Sequence, residues 1–163
     1  MPKKVTKQTI KYGLKEIAHY ADPKNWELWD APKKPQAIYQ KFPEFTCLCP
    51  RSGYPDHATV HLITVPNKKV LEMKNLKMWL NSYRNIGISH ENATHEILNT
   101  LMETLNLYYG FILMEYQPRG NLTTFLMSEF ENTDNVNGYI DAVDTAVDLK
   151  RNIINKIMNK YSN

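Results

Sequence analysis

The stretch Ala58-Thr59-Val60-His61-Leu62-Ile63-Thr64-Val65 decides the fold class, because shortly after it the hydrophobic period changes. Its β-branched and partly alternating residues are the composition of a strand. From Leu76 the apolar residues fall instead at helical spacing, as Leu76, Trp79, Leu80 and Tyr83, which predicts a helix over 73–83. Ser89 can cap a second helix. Glu91 in its first turn suits the helix dipole, and Ile97, Leu98, Leu101, Met102 and Leu105 form its apolar stripe. Upstream, Ala37 to Phe42 is short, aromatic and bounded by prolines, and predicts a strand. Pro66-Asn67 ends or bends the strand at 58–65, with Val70-Leu71 continuing it. Downstream, Tyr108–Tyr116 and Leu122–Phe130 return to strand composition across Gln117-Pro118-Arg119-Gly120-Asn121, a hairpin turn. Apolar residues at Ile140, Val143, Val147, Ile154 and Ile157 predict a C-terminal helix over Tyr139–Tyr161.

The order β-β-α-α-β-β predicts an α+β fold, an antiparallel sheet with helices on one face. The open edges of such a sheet invite pairing between subunits, so an oligomer, a closed barrel of sheets, is expected. Residues 1–35 mix charges, prolines and aromatics and read as an arm, with a helical turn or two in Lys11–Tyr20. Residues 36–130 form the domain, and 131–163 a helical extension. A chain of 163 residues suits one domain with a real core. No apolar run approaches the roughly 18 residues of a membrane span, and the basic start Met1-Pro2-Lys3-Lys4 lacks the apolar stretch of a secretory signal. Two cysteines argue against a disulfide framework and for a reducing cytoplasm. A net charge of +3 allows contact with phosphates without demanding nucleic acid.

Chemistry concentrates in Pro43-Glu44-Phe45-Thr46-Cys47-Leu48-Cys49-Pro50-Arg51-Ser52-Gly53-Tyr54-Pro55-Asp56. Read alone, Cys47 and Cys49 fit small core residues near a strand end; as metal ligands they lack partners at suitable spacing beyond His57 and His61. Cys49, however, precedes Pro50 and a Ser52-Gly53 turn, where a side chain can be presented to a pocket. Asp56 either caps that turn or is carried back by it towards Cys49. A free thiol is only a few per cent thiolate at neutral pH, and an ionised carboxylate beside it would lower that fraction further. Asp56 therefore suits a proton donor, serving an electrophile whose nitrogen must gain a proton.

Three further groups stand out. Glu91 at a helix start can accept paired donors from a guanine-like edge or simply compensate the dipole, and His90 is either a pocket group or a satisfied histidine. Lys74 and Lys77 share a helical face and can hold a phosphate, or form a solvated basic face. Arg119 is a turn arginine, or a phosphate or cofactor contact. No GxGxxG sequence supports a Rossmann-type site.

Taken together, Pro43–Pro50, Gly53–Asp56, Glu72-x-Lys74-x-x-Lys77, Ser82–Asn85, His90-Glu91 and Pro118–Gly120 resemble the QueF nitrile reductases in their short, single-module form. The resemblance covers 36–130 and rests on motifs that occur in order. It implies the tunnelling fold, homo-oligomeric rings with active sites between subunits, and NADPH-dependent reduction of 7-cyano-7-deazaguanine in queuosine biosynthesis, a tRNA modification. Cys49 would form a covalent thioimide with the nitrile and Asp56 would supply protons. Glu91 and His90 would hold the substrate, while Glu72, Lys74, Lys77 and Arg119 would meet NADPH; no metal is implied. Met73, Asn75 and Met78 depart from the small residues usual in the cofactor motif, and Ala93 replaces a cysteine that some members use for a protective disulfide. Two other readings stay open: a QueF-like amidinotransferase that adds ammonia to the base in nucleic acid, and a non-catalytic oligomer that binds a purine or RNA.

Overall fold

A computed structural model describes residues 14–132 and 139–162; the expected arm before Leu14, and residues 133–138 and 163 of the expected C-terminal extension, lie outside the described residues. The central sheet is antiparallel with strand order β2-β3-β5-β6, formed by Ile38–Leu48, Pro55–Val65, Tyr109–Arg119 and Leu122–Glu131. Helices α2 (Met73–Ser82) and α3 (His90–Leu105) lie between the two hairpins in sequence, so the expected β-β-α-α-β-β order is the observed one. Ser89 caps α3 as expected, its hydroxyl accepting from the Asn92 N–H at 3.2 Å.

Alternation along β3 sorts its side chains onto two cores. Ala58, Val60 and Leu62 join Leu76, Trp79, Ile97 and Leu101 on the α2–α3 face, whereas Ile63 and Val65 pack with Val143 and Ala146 of α4 (Ile140–Met158) on the other. Because α4 covers the second face, residues 58–65 are apolar at positions that would otherwise be polar. The sequence pattern is only partly alternating for that reason. The exception is His61, buried on the α4 side with Nδ1 2.8 Å from the Tyr39 hydroxyl. None of the helices among the described residues is long and apolar enough to cross a membrane.

Two expectations change. Strand β2 does not end at Phe42 but runs through Pro43 to Leu48. It is an edge strand, and its register shifts between Phe42 and Phe45, a bulge that accommodates a residue with no N–H to donate. Nor does Val70-Leu71 continue β3: the chain turns after Val65, and β4 (Lys69–Leu71) pairs with β1 (Leu28–Asp30) in a separate two-stranded sheet. Strands of three residues carry too little periodicity to be read from sequence.

The described part of the expected arm is folded onto α2. After α1 (Leu14–Tyr20), Trp26 is buried and meets Trp79 edge-on at 4.8 Å between ring centroids. At the β5–β6 hairpin, Gly120 and Asn121 both take positive φ (55° and 65°), the conformation a two-residue turn requires.

Gly110 sets how closely β5 approaches α3. A Cβ there would lie 2.8 Å from the Met102 sulfur and 2.9 Å from Leu98 Cδ1. Gly110→Val is therefore expected to cost about 1–3 kcal/mol, read as a lowered denaturation midpoint; an unchanged midpoint would show that α3 yields without strain.

Candidate active site

The turn joining β2 to β3 shapes the site. The Cys49 N–H donates to the Tyr54 carbonyl at 2.8 Å, and the Gly53 N–H returns to the Cys49 carbonyl at 2.8 Å. Gly53 holds φ at 68°, a conformation that favours glycine, which lets the chain close so tightly. The turn thereby directs the Ser52 hydroxyl, the Ser52 N–H and the Arg51 N–H at the sulfur. These donors, in that order, outweigh desolvation and bring the half-exposed Cys49 thiol down to about 7, with Arg119 a smaller contributor. More of it is then thiolate at neutral pH than of an ordinary cysteine.

Cys47 has the opposite environment. It is fully buried in the α2–α3 core, and burial, followed by the nearby Asp56 charge, pushes its thiol up to about 11. The two cysteines, indistinguishable by residue type, are separated by where the strand ends.

Asp56 lies directly across from Cys47 in the β2–β3 register, and only 3% of it is exposed. Arg119, at the end of β5, places Nη1 2.7 Å from Oδ1, although no hydrogen bond is aligned on that oxygen. His90, the first residue of α3, places Nε2 3.2 Å from Oδ2. The Arg119 guanidinium also covers the Tyr54 ring, 5.4 Å from its centroid. His90 stacks on Tyr116 at 3.8 Å, and its carbonyl accepts from the Thr94 hydroxyl at 2.8 Å and the Tyr116 hydroxyl at 3.4 Å.

Cys49, Asp56, His90 and Arg119 thus come together where the hairpin turn, the start of α3 and the end of β5 meet. Glu91 is the next residue of α3 and is exposed; its own N–H first, then the Ser89 hydroxyl, hold its carboxyl below the ordinary range. Arg51, Ser52 and Tyr116 were not singled out from sequence. Ser52 was findable, as a hydroxyl in a tight turn beside a thiol. Tyr116 was not, because an aromatic residue in a strand reads as core.

Glu72, Lys74 and Lys77 lie on and before α2. Glu72 is its N-cap, with carboxylate oxygens accepting from the N–H groups of Lys74 and Asn75 at 2.9 Å each and from the Asn75 amide at 2.5 Å. Burial works to raise the Glu72 carboxyl, but these bonds together hold it below its ordinary value. Lys77 lines a groove of about 250 Å³ between α2 and β2, with Lys41, Phe42, Met73 and Leu80. Of the unusual motif residues, Asn75 and Met78 are buried and structural, while Met73 is 73% exposed.

Comparison with known proteins bears on this geometry. A family model described as QueF-like protein matches residues 55–135. The chain is 44% identical over 128 residues to the NADPH-dependent 7-cyano-7-deazaguanine reductase of Nitratiruptor sp., covering 78% of this chain and 98% of that protein. Proteins of the same name from Sulfurimonas denitrificans (43% identical; 72% of this chain, 94% of that protein) and Aquifex aeolicus (45%; 70% and 87%) are similar. The crystal structure of the archaeosine synthase QueF-Like in the apo form matches with a TM-score of 0.57 and 22% identity, covering 62% of this chain and 99% of that one. That likeness shows the tunnelling fold.

The turn donors make a direct prediction. Alkylation of Cys49 by iodoacetamide should rise through a midpoint near pH 7. Ser52→Ala removes a donor that favours the thiolate, so the midpoint should move up towards the ordinary thiol value of about 8.5. A midpoint that does not respond to Ser52→Ala would contradict this account of the thiolate.

Proposed function

The chain belongs to the QueF-like family, and on that premise we propose that it reduces the nitrile of 7-cyano-7-deazaguanine to an aminomethyl group with NADPH as reductant. The observation that carries the proposal is the pairing of a Cys49 thiol lowered to about 7 with a buried Asp56 in one corner. The relatives named above supply the substrate and the reductant.

Cys49 Sγ adds to the nitrile carbon. The C–S bond forms, one C–N π bond opens, and the nitrogen takes a proton by way of Asp56, giving the thioimide. When bound, NADPH would supply the two hydrides, one from each of two molecules; one further proton completes the amine, and the sulfur leaves as thiolate. Thiolate release is easy for the same reason that attack is: the turn donors stabilise the anion. Asp56 is paired with both Arg119 and His90, so it must gain a proton before giving one. The His90 Nε2, 3.2 Å from Oδ2, is placed to pass it. Glu91, held as a carboxylate at the α3 N-terminus, suits the donors of the deazaguanine edge.

The α2 region fits a dinucleotide phosphate in chemistry: Lys74 and Lys77 supply cations, and the groove beside Lys77 supplies apolar surface. The departures at Asn75 and Met78 do not weaken this reading, since both residues face the interior. Arg119 is most simply assigned to the Cys49–Asp56 corner. Among the described residues no strand pairs with the outer edges of β2 and β6, although Leu48 at the end of β2 bridges to Gly87, and Met127 and Phe130 on β6 are exposed. We take these edges to be where copies join into an oligomer.

Purified protein with the free nitrile should oxidise NADPH and, without NADPH, gain the mass of the nitrile on Cys49. Cys49→Ala should lose both. Asp56→Ala should slow turnover by roughly 10²–10⁴-fold, the usual contribution of a positioned proton donor. Adduct formation with no NADPH oxidation would instead favour the amidinotransferase reading, and no adduct at all would favour a binding protein.

A further inference from the structure

Glu72, Lys74 and Trp79, at and after the start of α2, touch the segment that precedes the domain. The Trp26 indole N–H donates to the Tyr20 carbonyl at 2.9 Å, which folds the end of α1 back against α2. Trp26 packs edge-on against Trp79. The Glu27 N–H donates to Asn75 Oδ1 at 2.9 Å, and the Glu72 N–H donates to the Glu27 carbonyl at 3.1 Å. Asn75 is 2% exposed, and its amide binds Glu72 on one side and Glu27 on the other, so it bolts the segment to the helix. The Lys74 ammonium lies over the Tyr20 ring, 5.6 Å from its centroid.

This divides the labour within the motif. The Glu72 carboxylate caps the helix, Asn75 and Trp79 form the socket, and Lys74 carries the charge. A lysine side chain has four rotatable bonds and loses considerable entropy when fixed. An aromatic face beneath the ammonium limits where it can point without removing its charge.

We infer that the segment Tyr20–Glu27 is part of the cofactor site, and that Tyr20 is a positioning residue that holds Lys74 towards a phosphate of the bound dinucleotide. The inference rests on the reading that Lys74 meets NADPH. It adds that cofactor affinity depends on a residue outside both the motif and the sheet.

The test uses the full chain with Lys74→Ala, Tyr20→Leu, Tyr20→Phe and the Lys74→Ala/Tyr20→Leu pair. Two quantities are measured: KM for NADPH, and the rate of Cys49 adduct formation with the nitrile in the absence of NADPH. Lys74→Ala and Tyr20→Leu should each raise KM, the latter by roughly threefold or more. Tyr20→Phe keeps the ring and should stay near the parent. The double variant should be no worse than Lys74→Ala alone, because Tyr20 acts through Lys74. Adduct formation should keep its rate in all four. A raised KM in Lys74→Ala with a parental KM in Tyr20→Leu overturns the role of Tyr20 and leaves the cofactor reading standing. A parental KM in Lys74→Ala overturns both. Loss of adduct formation in Tyr20→Leu also contradicts the inference, since it makes the segment a general requirement of the fold.

Discussion

Asp56 is a carboxylate withdrawn from water, and the arrangement of the corner follows from what such a group needs. A buried charge is tolerated only when opposite charge or donors are fixed around it. Here they arrive from two other elements, Arg119 from β5 and His90 from α3. Strand β5 is adjacent to β3 in the sheet, and α3 crosses the same face with its first turn over that end. Sheet order and helix placement therefore converge on one side chain. Tyr116 serves the same end by stacking on His90, which limits where Nε2 can point.

The thiol is handled separately. Cys49 does not depend on Asp56 for its lowered value, which comes from hydroxyl and N–H donors within its own turn. Had the carboxylate been the main neighbour, it would have opposed ionisation, as it does at Cys47. Nucleophile and acid thus have separate supports: donors of the turn favour the Cys49 thiolate, whereas Asp56 is held by Arg119 and His90.

Much of this was legible in the sequence. The change of period after Val65 gave both hairpins and the helix pair, and the Pro-bounded Ser52-Gly53 turn marked where Cys49 would be presented. What was missed was set by tertiary contact. Pro43 looked like a strand boundary because its missing N–H matters in a central strand, but β2 is an edge with a bulge. The pairing of β1 with β4 depends on three-residue strands distant in sequence. Arg119 reads from sequence as a turn arginine or a cofactor contact; its approach to Asp56 depends on the β3–β5 register and on a further register shift between Tyr116 and Arg119. Asn75 looked like a departure from a motif until its amide was seen to join Glu72 to Glu27.

The central claim is that this corner carries a nitrile through two successive reductions while it is bound to Cys49. The most direct measurement is stoichiometric: NADPH oxidised against amine formed, with ammonium labelled by ¹⁵N present in the same reaction. The account predicts two NADPH consumed per aminomethyl product and no label in that product. Product that contains ¹⁵N, or that forms without NADPH being consumed, would contradict it.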